Sequence, residues 1–247
     1  DLQPDVFLAM MGSVFGSNEC EIIRGEPYKK ILKYTKNNES LFIKQYITKS
    51  GIDVVKSVFV PSKAKKEWNN GLLLLKNQIL TAEPVAVGER KRVGAVKDCY
   101  IISRAIPDSV TGKERLITHQ QSPEENRSVN KGIFLKKLIS YVKTLHACGL
   151  FHGELHAENI LVGRNDDAFY LIDLGRVKFR EKIPLAWKIY DLARLLYSIL
   201  EVCTHDEITT AIDDYAGDMS AVGNKKGFHT AVFEQIRRIK QRHWDGK

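Results

Sequence analysis

Two short polar motifs, each next to an apolar segment, constrain this chain more than any other feature. The first, HGELHAEN, occupies residues 152–159 and runs directly into the apolar residues 160–162. The second is the apolar segment 170–172 followed by the residues DLG at 173–175. Between them lies GRNDD at 163–167, a composition typical of a tight turn. The sequence therefore predicts two short strands joined by a hairpin-like turn, with carboxylate and amide side chains beside them.

The spacing of these polar side chains matches two signatures of protein kinases, H-R-D-L-x-x-x-N and D-F-G. The residues in register are His152, Leu155, Asn159, Asp173 and Gly175. In that chemistry one carboxylate lies beside the acceptor hydroxyl, while a carboxamide and a second carboxylate hold the Mg²⁺ that bridges the nucleotide phosphates. We therefore predict a phosphotransferase site with Glu154, Asn159 and Asp173 as catalytic residues, of which Asn159 and Asp173 bind the metal. Gly175 is expected to let the chain turn sharply after Asp173.

One residue departs from the signature. Glu154 stands where the catalytic aspartate is usual, and its side chain is one methylene longer. A misplacement of about 1 Å in an active site can lower the rate on the order of a hundredfold. Two interpretations follow. The protein is a kinase whose rate is tuned by the longer side chain, or it is a pseudokinase scaffold in which Glu154 is a degenerate catalytic base. Nucleotide binding that depends on Asp173, without phosphoryl transfer, would favour the scaffold.

The first half of the chain has the pattern of a small antiparallel sheet followed by a helix. Three strand-like segments separated by turn residues lie within residues 20–46. Lys44 follows two apolar residues on the third of them, as the lysine of V-A-I-K does in kinases. Apolar residues recur at intervals of three and four within 63–79, which predicts a helix. Glu67 in this helix is expected to pair with Lys44 and hold it on the nucleotide phosphates; a solvated glutamate near the helix N-terminus is the alternative.

Three further positions are nucleotide-binding candidates through their backbone. Two more strands are predicted at 85–90 and 98–104, and the second leads into a segment where Ser103 and Ala105 would bond an adenine, on the grounds of position alone. A full G-x-G-x-x-G loop is absent from the first half, which also counts toward the scaffold reading. Gly25 is the only glycine at the strand turn where such a loop would cover the phosphates.

The second half of the chain has the apolar periodicity of a mainly helical unit. Helices are predicted at 132–147, 187–200 and 234–244. Asp191 lies in the second of these and is expected to hold the backbone of the catalytic loop. It lies only eighteen positions after Asp173, and no A-P-E motif follows. This spacing favours an atypical or small-substrate kinase over an ordinary protein kinase.

The net charge of the chain, +8, favours an anionic partner such as an acidic membrane surface or a phosphorylated substrate. No RNA-binding signature accompanies the basic residues, so nucleic acid is not expected as a partner. Four basic residues lie in the C-terminal helix: Arg237, Arg238, Lys240 and Arg242. We expect this helix to face an anionic glycolipid at a membrane, with an ordinary solvated surface as the alternative.

The motifs resemble those of the lipopolysaccharide kinase family, which includes Kdo kinases and lipopolysaccharide core heptose kinases. Five blocks are similar and come in the same order. The blocks are KEWNN at 66–70, LHACG at 145–149, HGELHAENIL at 152–161, LIDLGR at 171–176 and DLARL at 191–195. The residues LGR in place of Phe-Gly, and the short segment after Asp173, are also typical of that family.

The resemblance implies an α+β, two-lobed protein-kinase-like fold. The N-lobe, residues 1–105, would be a small antiparallel sheet with one helix that binds the nucleotide phosphates through Lys44 and Glu67. The short, mainly helical C-lobe, residues 106–247, would carry the catalytic loop, the metal site and the acceptor, whose hydroxyl Glu154 would orient or deprotonate.

The same resemblance implies the reactants and the place of the reaction. The donor would be ATP with Mg²⁺, and the acceptor a sugar hydroxyl of the lipopolysaccharide inner core, on Kdo or heptose. The protein would be cytoplasmic and in peripheral contact with an anionic membrane, at the cytoplasmic face of the inner membrane.

Two other hypotheses start from the same residues. A kinase for another small molecule or for a protein would keep the site and change only the acceptor. A metal hydrolase would use His152, Glu154, His156 and Glu158 as ligands. Their spacing is not H-E-x-x-H, and the second motif, around Asp173, would remain unexplained.

Overall fold

The structure is a computed structural model of the 247-residue chain. It describes residues 20–49, 52–121, 124–164, 166, 168–217 and 225–245. Residues 165 and 167 of the predicted turn therefore lie outside the described residues. The chain divides into two compact units, residues 1–107 and residues 108–247. Among the helices of the described residues, none has both the length and the apolar character needed to cross a bilayer.

The first unit is built on a five-stranded antiparallel sheet with the order β1-β2-β3-β5-β4. The strands are β1 (Cys20–Glu26), β2 (Lys29–Lys36), β3 (Glu39–Ile47), β4 (Pro84–Arg92) and β5 (Ala95–Arg104). Asn37 and Asn38 both have positive φ, 51° and 62°, as in the two-residue turns that match the twist of a hairpin. The meander predicted within residues 20–46 is present, and Lys44 lies on β3, which pairs with both β2 and β5.

Successive side chains along each strand point to opposite faces of this sheet. One face buries Leu32, Ile43, Tyr100 and Ile102. The other buries Tyr46, Val96, Cys99 and Ile101 together with Ala64 of a helix. Lys44 is two residues from Tyr46 on the same strand and therefore shares the helix-covered face.

The helix predicted at 63–79 is present as a 14-residue helix over Lys63–Lys76. We number it α2, because a shorter helix, α1, precedes it at Ile52–Phe59. Ser62 caps α2 by accepting a hydrogen bond from the amide of Lys65 at 3.1 Å. The helix ends at Lys76, three residues earlier than predicted, and the amide of the capping residue Asn77 donates to the carbonyls of the last turn.

The helix α1 contradicts the prediction of a single helix in this half of the chain. Its sequence, IDVVKSVF, contains four β-branched residues, which lower the helix propensity of a segment taken by itself. Tertiary contacts override that preference, since α1 packs against β5. One contact is a hydrogen bond from the amide of Val96 on β5 to the hydroxyl of Ser57, at 3.0 Å.

The second unit is mainly helical. Its helices are α3 (Gly112–Gln120), α4 (Glu124–Ala147), α5 (Leu185–Ser198), α6 (His205–Ala216) and α7 (Lys225–Asp245). The helix α4 packs against α6, and α5 packs against α7. Their core includes the fully buried side chains of Leu138, Ile139, Leu192, Leu195 and Leu196. The helices predicted at 132–147, 187–200 and 234–244 are all present with shifted or extended bounds.

Five short strands complete the second unit. They are β6 (Val110–Thr111), β7 (Leu150–Phe151), β8 (Ile160–Val162), β9 (Phe169–Leu171) and β10 (Lys178–Phe179). The strands β6, β8 and β9 form one sheet in that order, and β7 pairs with β10. The two strands predicted around the motifs are β8 and β9, which pair antiparallel with Ile160 opposite Leu171.

The helices α3 and α6 were not predicted, although each begins with a capping box. Thr111 and Glu114 form the box of α3, and Thr204 and Glu207 form that of α6. Glu207 also accepts a hydrogen bond from the buried Lys131 at 2.7 Å. Burial raises the pKa of the Glu207 carboxyl, but hydrogen bonds from Lys131 and from the backbone of Thr204 outweigh this effect, so the pKa lies below its usual value.

Candidate active site

The loop that carries the first motif is shaped by two glycines. Gly149 has a φ of +78°, and a Cβ at this position would collide with the carbonyl oxygen of Arg180. The amide of Arg180 in turn donates to the carbonyl of Gly149 at 2.9 Å. Gly153 has a φ of +79°, and a Cβ there would lie 3.0 Å from that of Arg176. Only glycine combines this backbone with these close approaches, so both positions define the path of the loop.

A fully buried carboxylate holds the middle of this loop, as predicted. Asp191 of α5 accepts the amide of His152 at 2.7 Å through Oδ2 and the amide of Gly153 at 2.9 Å through Oδ1. Its side chain is 0% exposed. Hydrogen bonds from amides to an ionised carboxylate are stronger than neutral ones, and two of them from successive residues fix the peptide plane between them. Asp191 is therefore a positioning residue for the loop.

His152 is also fully buried and ties the loop to the end of β9. Its Nε2 donates to the carbonyl of Ile172 at 3.1 Å, and its Nδ1 accepts the amide of Glu154 at 3.3 Å. Burial lowers the pKa of His152, against the opposing effect of the Asp191 charge. With both ring nitrogens engaged, the neutral His152 has a structural role in holding the loop.

The two histidines of the first motif do not form a metal site of the hydrolase type. Both ring nitrogens of His152 are used within the unit, as described above. The Nε2 of His156 lies 2.7 Å from Nη2 of Arg194 and accepts a hydrogen bond from it. These contacts explain why the HxExH spacing does not act as a ligand set here.

Glu154 and Asn159 are brought together by a hydrogen bond that closes the loop. The Nδ2 of Asn159 donates to the carbonyl of Glu154 at 2.8 Å. Because this bond engages the amide nitrogen, the amide oxygen of Asn159 is the atom of that side chain that can serve as a metal ligand. The carboxylate of Glu154 is half-buried, and its Oε1 lies 3.3 Å from Nε of the exposed Arg176.

Asp173 lies directly beyond β9 and has a left-handed backbone, with φ 60° and ψ 59°. The prediction that Gly175 makes the turn is therefore wrong: Asp173 makes it, and Gly175 lies in a short 3₁₀ helix at Leu174–Arg176 without positive φ. Aspartate tolerates this conformation better than most residues. Residues held in it often lie at functional sites, where the surrounding structure imposes the geometry.

Pairing of the two strands brings the two predicted metal ligands close in the fold. The amide of Ile172 donates to the carbonyl of Asn159 at 3.0 Å, so Asp173 is one residue from a direct backbone contact with Asn159. One carboxylate and one carboxamide suit Mg²⁺, which keeps several waters and is commonly bound by one or two protein groups plus phosphates. The described residues contain no group of three histidine, cysteine or acidic side chains able to hold a metal. The donor set therefore fits magnesium held jointly with a nucleotide.

In the first unit, the predicted ion pair between Lys44 and Glu67 is present. The Nζ of Lys44 lies 2.8 Å from Oε2 of Glu67, and the Glu67 side chain is only 5% exposed. The hydroxyl of Tyr46 donates to the other carboxylate oxygen, Oε1. With both oxygens occupied, Glu67 is fixed on α2 and in turn orients the Lys44 ammonium.

The three backbone candidates of the first unit show no feature specific to a nucleotide. Gly25 pairs with Lys30 inside the β1–β2 hairpin, and a Cβ at position 25 would make only an ordinary contact of 3.8 Å. Ser103 lies within β5, between β3 and β4. The amide of Ala105 donates to the carbonyl of Ser40 at 2.9 Å. Since this amide already donates to the neighbouring strand, it is not available to adenine, and nucleotide binding by the other backbone groups at Gly25, Ser103 and Ala105 stays a prediction.

Three supporting contacts of the catalytic loop were missed by the sequence reasoning. They are the ion pair of Arg176 with Glu154, the bond of Arg194 to His156, and the bond from the amide of Ala157 to Ser198 Oγ at 2.9 Å. Arg194 and Ser198 lie on α5, and their role depends on how that helix docks, which no local pattern reveals. Arg176 follows the DLG residues directly, and this position next to the motif could have indicated that it contacts the catalytic loop.

The fold and these residues define the class of the protein. An antiparallel sheet with a strand lysine paired to a helix glutamate, and a helical unit with an aspartate-anchored loop beside a strand-terminal aspartate, are the parts of a protein-kinase-like phosphotransferase. A sequence model described as the Lipopolysaccharide kinase (Kdo/WaaP) family matches residues 9–221. The chain belongs to this family, and it is thereby a kinase that uses ATP.

Individual relatives agree with this assignment. The chain is 22% identical over 199 residues to the lipopolysaccharide core heptose(I) kinase WaaP of Escherichia coli, covering 74% of each chain. It is 25% identical over 145 residues to WaaP of Pseudomonas aeruginosa, covering 56% of this chain and 53% of that protein. A solved structure of WaaP in complex with acyl carrier protein superposes with a TM-score of 0.65 at 18% identity, over 93% of this chain and 92% of that one. The predicted kinase-like fold class is confirmed.

Proposed function

We propose that this protein is a Mg-ATP-dependent kinase that transfers the γ-phosphate to a sugar hydroxyl of the lipopolysaccharide inner core. The observation that carries the proposal is the loop anchored by Asp191, which presents Glu154 and Asn159 next to Asp173 in a member of a lipopolysaccharide kinase family. Relatives that are named core heptose(I) kinases support a heptose as the acceptor sugar, with Kdo as the second choice.

In this proposal the first unit binds the nucleotide phosphates, and the second unit holds the metal. The Lys44 ammonium, oriented by Glu67, binds phosphate oxygens of ATP. The amide oxygen of Asn159 and the carboxylate of Asp173 hold Mg²⁺. When bound, the metal neutralises charge that develops on the transferring phosphoryl group. The functional division of the chain into residues 1–105 and 106–247 is part of this proposal.

The acceptor hydroxyl is assigned to Glu154. Its carboxylate accepts the hydroxyl proton or orients the hydroxyl, and the contact with Arg176 limits the freedom of the longer side chain. The substitution of glutamate for the usual aspartate also motivates the competing proposal of a pseudokinase scaffold. A third proposal keeps the phosphotransfer and changes the acceptor to another small molecule or a protein.

The proposed place of action is the cytoplasmic face of the inner membrane, in peripheral contact with its anionic lipids. The helix α7 supports this, because Arg237, Arg238, Lys240 and Arg242 are all exposed on it. A glycolipid acceptor is anionic, so a basic surface raises its local concentration. Removing these charges should raise the KM for the acceptor and leave the affinity for ATP unchanged.

The test is transfer of labelled γ-phosphate from ATP to dephosphorylated inner-core lipopolysaccharide. The wild type is compared with Asp173→Asn and with Asp206→Asn, which changes an exposed aspartate on α6. Label on the sugar with wild type and Asp206→Asn, and its loss with Asp173→Asn, is the expected result. Magnesium-dependent ATP binding that requires Asp173, without label on any acceptor, would replace the kinase by the scaffold.

A further inference from the structure

The outer surface of α1 in the first unit is unusually apolar. The side chains of Val54, Val58 and Phe59 are exposed to 37%, 51% and 82%. Scattered exposed apolar residues are normal on soluble proteins, but several adjacent ones on one short element mark a surface that contacts another apolar phase.

A basic cavity of about 400 Å³ lies beside this helix, within the first unit. Among the residues that line it, the charged ones are Asp53, Lys49, Lys56, Lys63 and Lys66. Two tyrosine rings form part of its wall: Lys49 Nζ lies 4.7 Å from the ring centre of Tyr28, and Lys63 Nζ lies 5.7 Å from that of Tyr46. The cavity therefore carries four ammonium groups against one carboxylate.

Among the residues that the structure describes, no ion pair balances the positive charge of the cavity. Across the described residues, Lys49, Lys56, Lys63 and Lys66 form no salt bridge, in contrast to Lys44 nearby in sequence. A concave surface lined by like charges focuses the potential and attracts an anion. Its volume accommodates a phosphate headgroup.

Helical geometry separates the apolar and the cavity-lining positions of α1. Asp53, Lys56, Ser57 and Val60 line the cavity and recur at intervals of three and four. The exposed Val54, Val58 and Phe59 fall at other positions of the helical turn. An apolar surface bordered by lysines is the pattern of a helix that lies in the interface of an anionic membrane.

We propose that α1 docks this protein on an anionic phospholipid surface, with its apolar side chains among the lipids and a phosphate headgroup in the adjoining lysine cavity. This places a membrane contact on the first unit, in addition to the basic helix α7 of the second. The proposal deepens the proposed function, since a glycolipid acceptor resides in a membrane. Its test uses neither ATP nor acceptor, so its failure is distinguishable from failure of the kinase proposal.

The first experiment is co-sedimentation of the full chain with vesicles of phosphatidylcholine alone or mixed with phosphatidylglycerol. The wild type should bind the mixed vesicles and lose affinity as salt rises. The triple variant Lys56→Ala, Lys63→Ala, Lys66→Ala should bind about a hundredfold more weakly, since each lysine near an anionic surface is worth about fivefold. A matched triple variant outside the cavity, Lys30→Ala, Lys76→Ala, Arg92→Ala, has the same change in net charge and should lose about threefold at most.

The second experiment separates a lipid surface from a soluble anion. Phe59→Ala should weaken binding to mixed vesicles by about tenfold, because an inserted phenyl group leaves water on binding. The same variant should bind water-soluble glycerol phosphate like the wild type, whereas the lysine triple variant should not. Circular dichroism and thermal unfolding confirm that each variant is folded.

Two results would overturn the proposal. Vesicle binding unchanged in both Phe59→Ala and the lysine triple variant would show that this surface does not touch lipid and is covered by protein instead. Loss in the lysine triple variant without any loss in Phe59→Ala would show that the cavity holds a soluble anion only.

Discussion

Replacing Asp191 with asparagine tests whether one buried carboxylate positions the catalytic loop. In the wild type, its two oxygens accept the amides of His152 and Gly153 at 2.7 and 2.9 Å, and the side chain is fully buried. Asparagine keeps one acceptor, but its NH₂ group faces the second amide, donor to donor. A buried N–H that loses its partner destabilises a protein by about 1–3 kcal/mol. A resulting loop shift of about 1 Å would lower the transfer rate on the order of a hundredfold.

Three measurements check this prediction: the free energy of unfolding from urea titration, the affinity for ATP, and kcat for phosphate transfer. We expect Asp191→Asn to lose about 1–3 kcal/mol of stability and most of kcat while its ATP affinity stays unchanged. The exposed Asp206→Asn on α6 is the control and should stay within about 0.5 kcal/mol of the wild type. Wild-type stability together with wild-type kcat in Asp191→Asn would refute the assigned positioning role.

Three further predictions concern the loop, the helical unit and the base. Gly149→Ala should destabilise the protein by more than about 1 kcal/mol, because the positive φ of Gly149 and a nearby backbone carbonyl exclude a Cβ. Gly25→Ala is the control and should be nearly neutral. Urea titration of both variants measures the difference. The pKa of Glu207 is lower in the folded protein than in the unfolded chain. Its pairing with Lys131 therefore stabilises the protein fully at pH values above the unfolded pKa, and this stabilisation is lost as the pH falls through the folded pKa. Unfolding free energies measured from pH 6 to about pH 3, a range that spans the ordinary glutamate pKa of about 4.3 and extends below it, should therefore fall less steeply in Glu207→Gln, and equal slopes would contradict this. Glu154→Gln should abolish phosphate transfer and retain ATP binding, measured by single-turnover transfer and calorimetry; retained transfer would remove Glu154 from the mechanism.

The parts of the site that were predictable from the sequence are those encoded by spacing. The separation of Asn159 from Asp173 indicated two paired strands, and the structure shows them as β8 and β9. The ion pair of Lys44 with Glu67 and the anchoring by Asp191 followed from the position of each residue on its predicted strand or helix. Local periodicity and motif order were sufficient for these contacts.

The features that were missed have two causes. Some depend on tertiary contacts, and others depend on backbone conformations that several residue types can adopt. The β-branched sequence of α1 argues against a helix until its packing on β5 is known. The sharp turn falls on Asp173 and not on Gly175. The sequence could not decide between the two positions, because both residue types tolerate a positive φ. The engagement of the Ala105 amide by Ser40 depends on sheet register, which strand prediction alone does not fix. The helices α3 and α6 were missed although each carries a sequence signal in its capping box.

The most direct test of the central claim is analysis of the product by mass spectrometry and phosphorus NMR. Dephosphorylated inner-core lipopolysaccharide is incubated with Mg-ATP and either the wild type or Asp173→Asn. We expect one new phosphate ester on a heptose or Kdo hydroxyl with the wild type and none with Asp173→Asn. An unchanged inner core with the wild type, under conditions in which it binds Mg-ATP, would show that the protein is not an inner-core kinase.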